Sequence, residues 1–124
     1  MGKLVHDDVL DAALNYVKNN STRICVCSTQ PTTYTQAITT YKLAIKTISA
    51  SDFTGPADDT SGRKLTTVQH TGITVDTTGD AQHIALCDSA NSKLLYVTTC
   101  TTQTLTSGNT VTIPAWKISI ADPS

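Results

Sequence analysis

The feature that most constrains this chain is a series of short β-branched and apolar segments, separated by turn-forming residues at intervals of roughly ten residues. Threonine is far over-represented, and its stiff, branched side chain suits a pleated strand with one polar face. Glycine, proline, aspartate, asparagine and serine occupy the connections. The pattern predicts a mainly β fold, either a single antiparallel β-sandwich or a small β-barrel.

One segment near the start follows a helical period instead. Its apolar residues fall at spacings of one, three and four and trace one stripe of a helix: Val9, Leu10, Ala13, Leu14 and Val17. Aspartates at its beginning and a lysine near its end match the helix macrodipole. We therefore expect one N-terminal α-helix, from Asp7 to about Asn20, ahead of the strands.

The middle of the chain alternates between strand and turn signals. Arg23–Ser28 is dense in β-branched and apolar residues and is predicted to be a buried strand. Residues 32–48 mix both periods, and we assign them as a loop followed by a strand over Leu43–Ile48. Ser49–Gly62 collects turn-forming residues and is predicted to be the longest loop. Two short strand candidates follow: Arg63–His70 and Gly72–Thr77.

The last third of the chain predicts two hairpins. Gln82–Cys87 and Lys93–Cys100 flank a polar connection and are expected to pair antiparallel. Thr101–Leu105 is expected to pair with Thr110–Ile120, with Pro114 at an edge or a bulge. Residues 1–124 are thus predicted to form a single β-domain, with an N-terminal arm and helix over about 1–20 and strands over about 22–120.

Charge and hydropathy exclude two classes of partner. The net charge of −1 provides no basic field that could hold a phosphate backbone, so we expect no nucleic-acid partner. No run approaches the roughly 20 apolar residues that a membrane-spanning helix needs, so we expect no membrane partner. The chain begins without an apolar signal core, which favours synthesis and use in soluble form, in the cytoplasm.

Four cysteines leave two interpretations open: Cys25, Cys27, Cys87 and Cys100. Without a secretory signal the favoured state is reduced and partly buried. The alternative is a set of disulfides formed after release into an oxidising medium, within one chain or between copies. Cys25 and Cys27 lie two apart on a predicted strand, so their side chains share a face and are expected to reach other partners rather than each other.

Motifs that carry chemistry are missing from the sequence. The three histidines are widely separated and form no zinc-binding pattern, and no serine lies in a nucleophile motif. The glycine-containing turns match neither a P-loop nor a dinucleotide fingerprint. Asp58 and Asp59 lack the alternating oxygen ligands of a calcium loop, and we interpret them as a solvated turn. We therefore predict no metal, no cofactor and no enzymatic activity.

The few aromatic residues divide between core and surface roles. Trp116 alternates with apolar residues and is predicted to lie in the core. Phe53 lies in a polar stretch and is the candidate for an anchor on another chain. The arm residues Leu4 and Val5 and the predicted edge at Pro114 complete the candidate interface, because unpaired strand edges accept a neighbouring chain.

Several segments together look familiar: Leu4–Leu14, Cys27–Tyr34, Leu105–Thr110 and the ending Ile120–Ser124. They resemble small virion proteins of tailed phages and prophages of alphaproteobacteria, and the resemblance spans almost the whole chain. The resemblance implies a component of the particle rather than a reaction, and it brings no catalytic motif to transfer. The four cysteines, Cys100 above all, exceed what that pattern needs and leave room for cross-links between subunits.

Three functional hypotheses follow. The first is a capsid decoration or cement protein, present in many copies in the virion, whose partners are the major capsid protein and other copies of itself. The second is a tail, neck or baseplate component that joins rings of different symmetry. The third is a ligand- or glycan-binding β-module that uses the polar loop at residues 49–62.

Overall fold

A computed structural model describes residues 3–122 as antiparallel β-sheets preceded by one 14-residue α-helix. The helix α1 spans Asp7–Asn20, and the strands are β1 Arg23–Cys27, β2 Lys42–Thr47, β3 Phe53–Asp58, β4 Arg63–Thr67, β5 His70–Thr74, β6 Gly79–Asp88, β7 Lys93–Leu105, β8 Thr110–Ile113 and β9 Lys117–Ile120. The mainly β fold class with an N-terminal helix is confirmed. The predicted bounds of the helix are also confirmed.

The strands form three sheets in a sandwich-like arrangement, and every named pairing is antiparallel. The four-stranded sheet has the order β2-β1-β6-β7, and the hairpin of β6 and β7 was predicted. A three-stranded sheet has the order β3-β4-β9, and β5 pairs with β8 alone. This order leaves β2 and β7 at the two edges of the largest sheet.

The main core lies between these sheets and helix α1. Ile24 and Leu86 enter it from the large sheet, Leu65 enters from β4, and each is at most 1% exposed. Leu10 and Leu14 from the apolar stripe of α1 are buried, and α1 packs against β3 and β4. Burying each such side chain contributes about 1.5–3 kcal/mol, so the helix belongs to the core rather than to a free arm.

The predicted loop over residues 49–62 is wrong. A short 3₁₀ turn, Ala50–Asp52, leads directly into β3, which pairs with β4. Phe53 is only 6% exposed and lies in the core, so it is not available as a surface anchor. The prediction failed because it took glycine and proline as signs of a loop. Strand β3 is an edge strand with a register shift, and an edge strand tolerates glycine and Pro56 at such a position.

The predicted second hairpin is also wrong. Residues 101–105 continue β7 instead of forming a separate strand, because β6 is ten residues long and pairs as far as Leu105. Residues 110–120 divide into β8, which pairs with β5, and β9, which pairs with β4. Pro114 lies between these two strands, where a residue without an amide hydrogen ends the ladder.

The remaining differences concern segment boundaries. A five-residue π-helical turn, Gln36–Thr40, occupies part of the predicted loop, and β2 then begins one residue before the predicted strand. Two short strands follow residue 62, as predicted. Both end three residues earlier than predicted, β4 at Thr67 and β5 at Thr74.

Candidate binding surface

Strand β7 has one open edge. It is 13 residues long and lies at the end of the four-stranded sheet, with β6 on one side. Among residues 3–122, no second strand pairs with it. The outward-facing amide and carbonyl groups of β7 therefore lack a strand partner, which makes this edge a template for another chain.

The β7 edge lacks two of the usual protections against pairing, charge and proline, although its pairing with β6 has register shifts at two places. From Leu94 to Leu105 it contains no charged residue and no proline, and residues 101–104 are exposed. The opposite edge of the same sheet, β2, carries Lys42 and Lys46, and the edge strand β3 carries proline and aspartate. Charges and prolines of this kind discourage strand addition. Strand β7 is the long edge that lacks them.

A groove of about 400 Å³ lies beside the inner face of β7. Its apolar side is formed by residues of the large sheet and β8, including Val26, Ile84 and Ile113. The β7 side contributes Thr98, Cys100 and other neutral side chains, and no charged residue lines the groove among the described residues. The groove therefore favours an uncharged occupant, because a charge placed there would lose its hydration without a partner.

Trp116 forms one wall of this groove and carries an unpaired donor. Its indole Nε1 is buried and has no hydrogen-bond partner within residues 3–122, while the side chain as a whole is half-buried. The Thr67 amide donates to the Trp116 carbonyl oxygen at 2.8 Å, which ties this wall to β4. Buried donors are normally paired, so this indole N–H is an exception among the buried polar groups of the described chain.

Three of the four cysteines are buried free thiols in a second core cluster: Cys25, Cys27 and Cys87. The Cys27 thiol donates to the carbonyl oxygen of Ala37 at 3.6 Å, and burial raises the pKa of Cys27 to about 12. A hydrogen bond with Cys87, together with burial, raises the pKa of Cys25 well above its ordinary value. Cys25 and Cys27 therefore remain protonated near neutral pH and are poor nucleophiles, whereas the hydrogen bond with Cys25 lowers the pKa of Cys87.

Cys100 differs from the other three because it lines the groove and is only half-buried. Its thiol is free, and burial raises its pKa above the ordinary value. It lies one residue past the middle of β7. A chain that added to β7 would therefore pass close to this thiol.

The other predicted contact residues do not form one surface. Pro114 is exposed and lines the groove, whereas Leu4 is 90% exposed and Val5 half-buried, and neither lines it. Pro114 lies between β8 and β9 rather than within a predicted edge strand, and its role as a contact stays a prediction. The signal that indicates β7 is its long run of uncharged residues ending at Leu105.

The two adjacent aspartates of the predicted solvated turn are engaged in ion pairs. Asp59 accepts from Lys117 Nζ at 2.8 Å and from Ser119 Oγ at 2.9 Å, and the Lys117 hydrogen bond is the main reason that the pKa of Asp59 lies at about 2. Arg63 Nη1 donates to Asp58 at 2.6 Å, and Arg63 Nε donates to Asp11 at 2.8 Å. These carboxylates tie the turn to β9 and to α1, which is a structural role.

Neither a metal site nor a spanning helix is present in the described part of the chain. Residues 3–122 contain no group of three histidine, cysteine or acidic side chains arranged to hold a metal ion. Within the same range, no helix combines the length and apolarity needed to cross a membrane.

Comparison with known proteins adds no relative. No protein-family model matches the chain, and neither a curated protein nor a solved structure matches it at a significant level.

Proposed function

We propose that this chain is a non-enzymatic structural protein that docks into a larger assembly through the open edge of β7. One observation carries the proposal: a 13-residue edge strand with no charge and no proline after Lys93. Soluble β-proteins usually block such edges, because an open edge pairs with whatever strand it meets. An edge without charge or proline over this length favours a protein whose β7 edge is covered by a partner when the protein functions.

The assembly we propose is the head of a tailed phage, with this chain as a capsid decoration or cement protein. The resemblance to small virion proteins supports this choice, and the low surface charge suits packing against fellow subunits. Strand addition contributes main-chain hydrogen bonds of about 0.5–1.5 kcal/mol each. A capsid lattice repeats the same site many times, so modest contacts are enough to hold each copy.

The partners in this proposal are the major capsid protein and other copies of the chain. Main-chain pairing along β7 supplies affinity, and the adjoining groove supplies selection for an uncharged side chain. Leu4, which is 90% exposed ahead of α1, is the second candidate contact. Because Leu4 precedes the helix, the N-terminal arm can contact a neighbouring subunit while the β-domain remains bound through β7.

A tail, neck or baseplate component would dock through the same β7 edge. It would differ from a decoration protein in the number of copies per particle. Quantitative mass spectrometry of purified particles from the phage or prophage that encodes the chain separates the two. Hundreds of copies per particle support decoration, whereas about six or twelve support the tail. Particles that contain no copies contradict both.

A matched pair of variants tests the role of the edge. Thr102 is exposed within the uncharged stretch of β7, and Thr102→Lys adds a charge that opposes strand addition. Ala12→Lys adds the same charge on the exposed face of α1. We expect Thr102→Lys to lower the number of copies per particle at least several-fold and Ala12→Lys to leave it unchanged. Equal incorporation of both variants contradicts docking through β7.

A ligand-binding β-module is the second candidate function, and the groove beside Trp116 is the observation that favours it. Residues 49–62, the predicted ligand-binding loop, largely form the 3₁₀ turn and strand β3. The groove is therefore the candidate site for a ligand. A glycan array probed with the wild type and with Trp116→Ala tests it. Binding by the wild type that Trp116→Ala abolishes supports the module, and an array without hits removes it.

A further inference from the structure

We infer that the β7 edge pairs antiparallel with the β7 edge of a second copy, which joins two four-stranded sheets into one continuous sheet. The inference deepens the proposed function by naming the first partner of β7, and it rests on β7 being the docking surface. The two edges are identical, so one twofold axis satisfies both of them at once and closes the assembly. No further strand is then needed to cover either edge.

Charge is the first argument for a second copy. Antiparallel self-pairing places each residue opposite another residue of the same strand, so a charge near the middle would lie close to its own copy. Strand β7 contains one charged residue, Lys93, and it is at the extreme end. The interior from Leu94 onwards is charge-free, so self-pairing brings no like charges together, while the register shifts near Leu95 and between Thr99 and Gln103 interrupt the regular ladder there.

The other edge of the large sheet provides the contrast. Strand β2 has Lys42 and Lys46 within six residues, and only Lys42 is paired, with Asp76 at 3.0 Å, among the ion pairs of the described chain. Self-pairing of β2 would bring like charges together, which destabilises a sheet. The sheet therefore has one edge that accepts a copy of itself and one that opposes it.

Side-chain size is the second argument. Thr99, at the centre of β7, and Thr101, two residues further on, are exposed. With maximal overlap Thr99 lies opposite its own copy, and such a cross-strand threonine pair stabilises an antiparallel sheet by about 0.2–1 kcal/mol and buries no charge. With maximal overlap, the two copies of Cys100 lie near the twofold axis, since Cys100 is next to the strand centre. The groove wall at Trp116 adjoins this contact through Cys100.

Sedimentation of the purified full chain over a range of concentrations tests the inference directly. We expect reversible formation of a species of twice the 13.2 kDa chain mass. Thr99→Lys with Thr101→Lys is expected to remain monomeric at concentrations where the wild type is dimeric. The control, Ala12→Lys with Asn19→Lys, adds the same charge on exposed positions of α1 and is expected to dimerise like the wild type.

A charge complementation experiment tests whether β7 meets β7 near its centre. Thr99→Glu with Thr101→Glu is also expected to be monomeric alone, because it places like charges at the centre of the pair. An equal mixture of the lysine and glutamate variants is expected to form a mixed dimer, because each strand then meets the opposite charge. Mixed dimers that form only in the mixture identify β7 against β7, and they also show that both variants are folded.

Two results overturn the inference. One is a wild type that stays monomeric up to millimolar concentration, and the other is a lysine variant and a glutamate variant that each dimerise as well as the wild type. These measurements use the isolated chain, whereas the proposed function is measured by copies per particle. A monomeric protein that is incorporated into particles through β7 therefore rejects self-pairing and leaves the proposed function standing.

Discussion

Thr67 and Trp116 are joined through both polar groups of the tryptophan backbone. The Thr67 amide donates to the Trp116 carbonyl oxygen at 2.8 Å, and the Trp116 amide donates to Thr67 Oγ1 at 3.3 Å. Thr67 is 1% exposed, so this connection lies in the core between β4 and the segment that leads into β9. The wall of the groove beside β7 is therefore fixed by the packing of the other sheet.

Thr67→Val is expected to weaken this connection. Valine has the same shape and removes the hydroxyl that accepts from the Trp116 amide, which leaves a partly buried donor unpaired. We expect the free energy of unfolding to fall by about 1–3 kcal/mol in urea titrations. Thr71→Val, at an exposed position of β5, is the matched control and is expected to change it by less than about 0.5 kcal/mol. Equal effects of the two substitutions contradict the role of Thr67.

The cysteines are expected to separate into two classes of reactivity. In dilute folded protein, Cys100 is expected to react slowly with a maleimide, while Cys25, Cys27 and Cys87 react only after unfolding, because all three are buried. Mass spectrometry of the labelled chain measures this directly. Cys100→Ser is the control and is expected to remain unlabelled while folded. Labelling of the three buried thiols in native protein contradicts the described core.

Asp59 is expected to make stability depend on acidity. Its pKa is lowered from 3.8 to about 2 by hydrogen bonds from Lys117, Thr60 and Ser119, so its contribution is fully present above about pH 3.8 and is lost as the pH falls through about 2. Urea titrations of the wild type and Asp59→Asn over this range measure the effect. We expect the wild type to lose its advantage over the variant across this window. A constant difference between the two proteins would contradict the ion pair.

His70 is expected to add a second pH dependence in a different range. It is 2% exposed, and burial, with the nearby charge of Lys46, lowers its pKa below 6.5 despite the opposing effect of Asp52. The unfolded chain takes up a proton at a higher pH than the folded chain, so stability is expected to fall as the pH drops below about 6.5. His70→Gln is expected to flatten the profile there. Parallel profiles for the two proteins would show that His70 does not titrate differently on folding.

The parts of the fold that the sequence predicts are local in origin. The apolar stripe and the charged ends of α1 are contained within one segment, and the β6–β7 hairpin joins neighbours in the chain across a polar turn. Each of these elements carries its own signal. Their agreement with the structure follows from interactions between residues close in sequence.

The parts that the sequence does not predict depend on distant partners. Nothing within residues 110–120 indicates that β8 pairs with β5 while β9 pairs with β4. Phe53 is surrounded by turn-forming residues, and only its packing into the core shows that it is buried. The open edge of β7 is likewise a property of the sheet order, since a strand cannot be identified as an edge until its neighbours are known.

Amide hydrogen exchange along β7, in the free chain and in purified particles, tests docking most directly. We expect the backbone amides of residues 93–105 that face away from β6 to exchange markedly more slowly in the particle than in the free chain diluted to its monomer, because the edge then has a partner, while exposed positions of β5 such as Thr71 exchange at the same rate in both. Identical exchange of β7 in the two states would contradict the account.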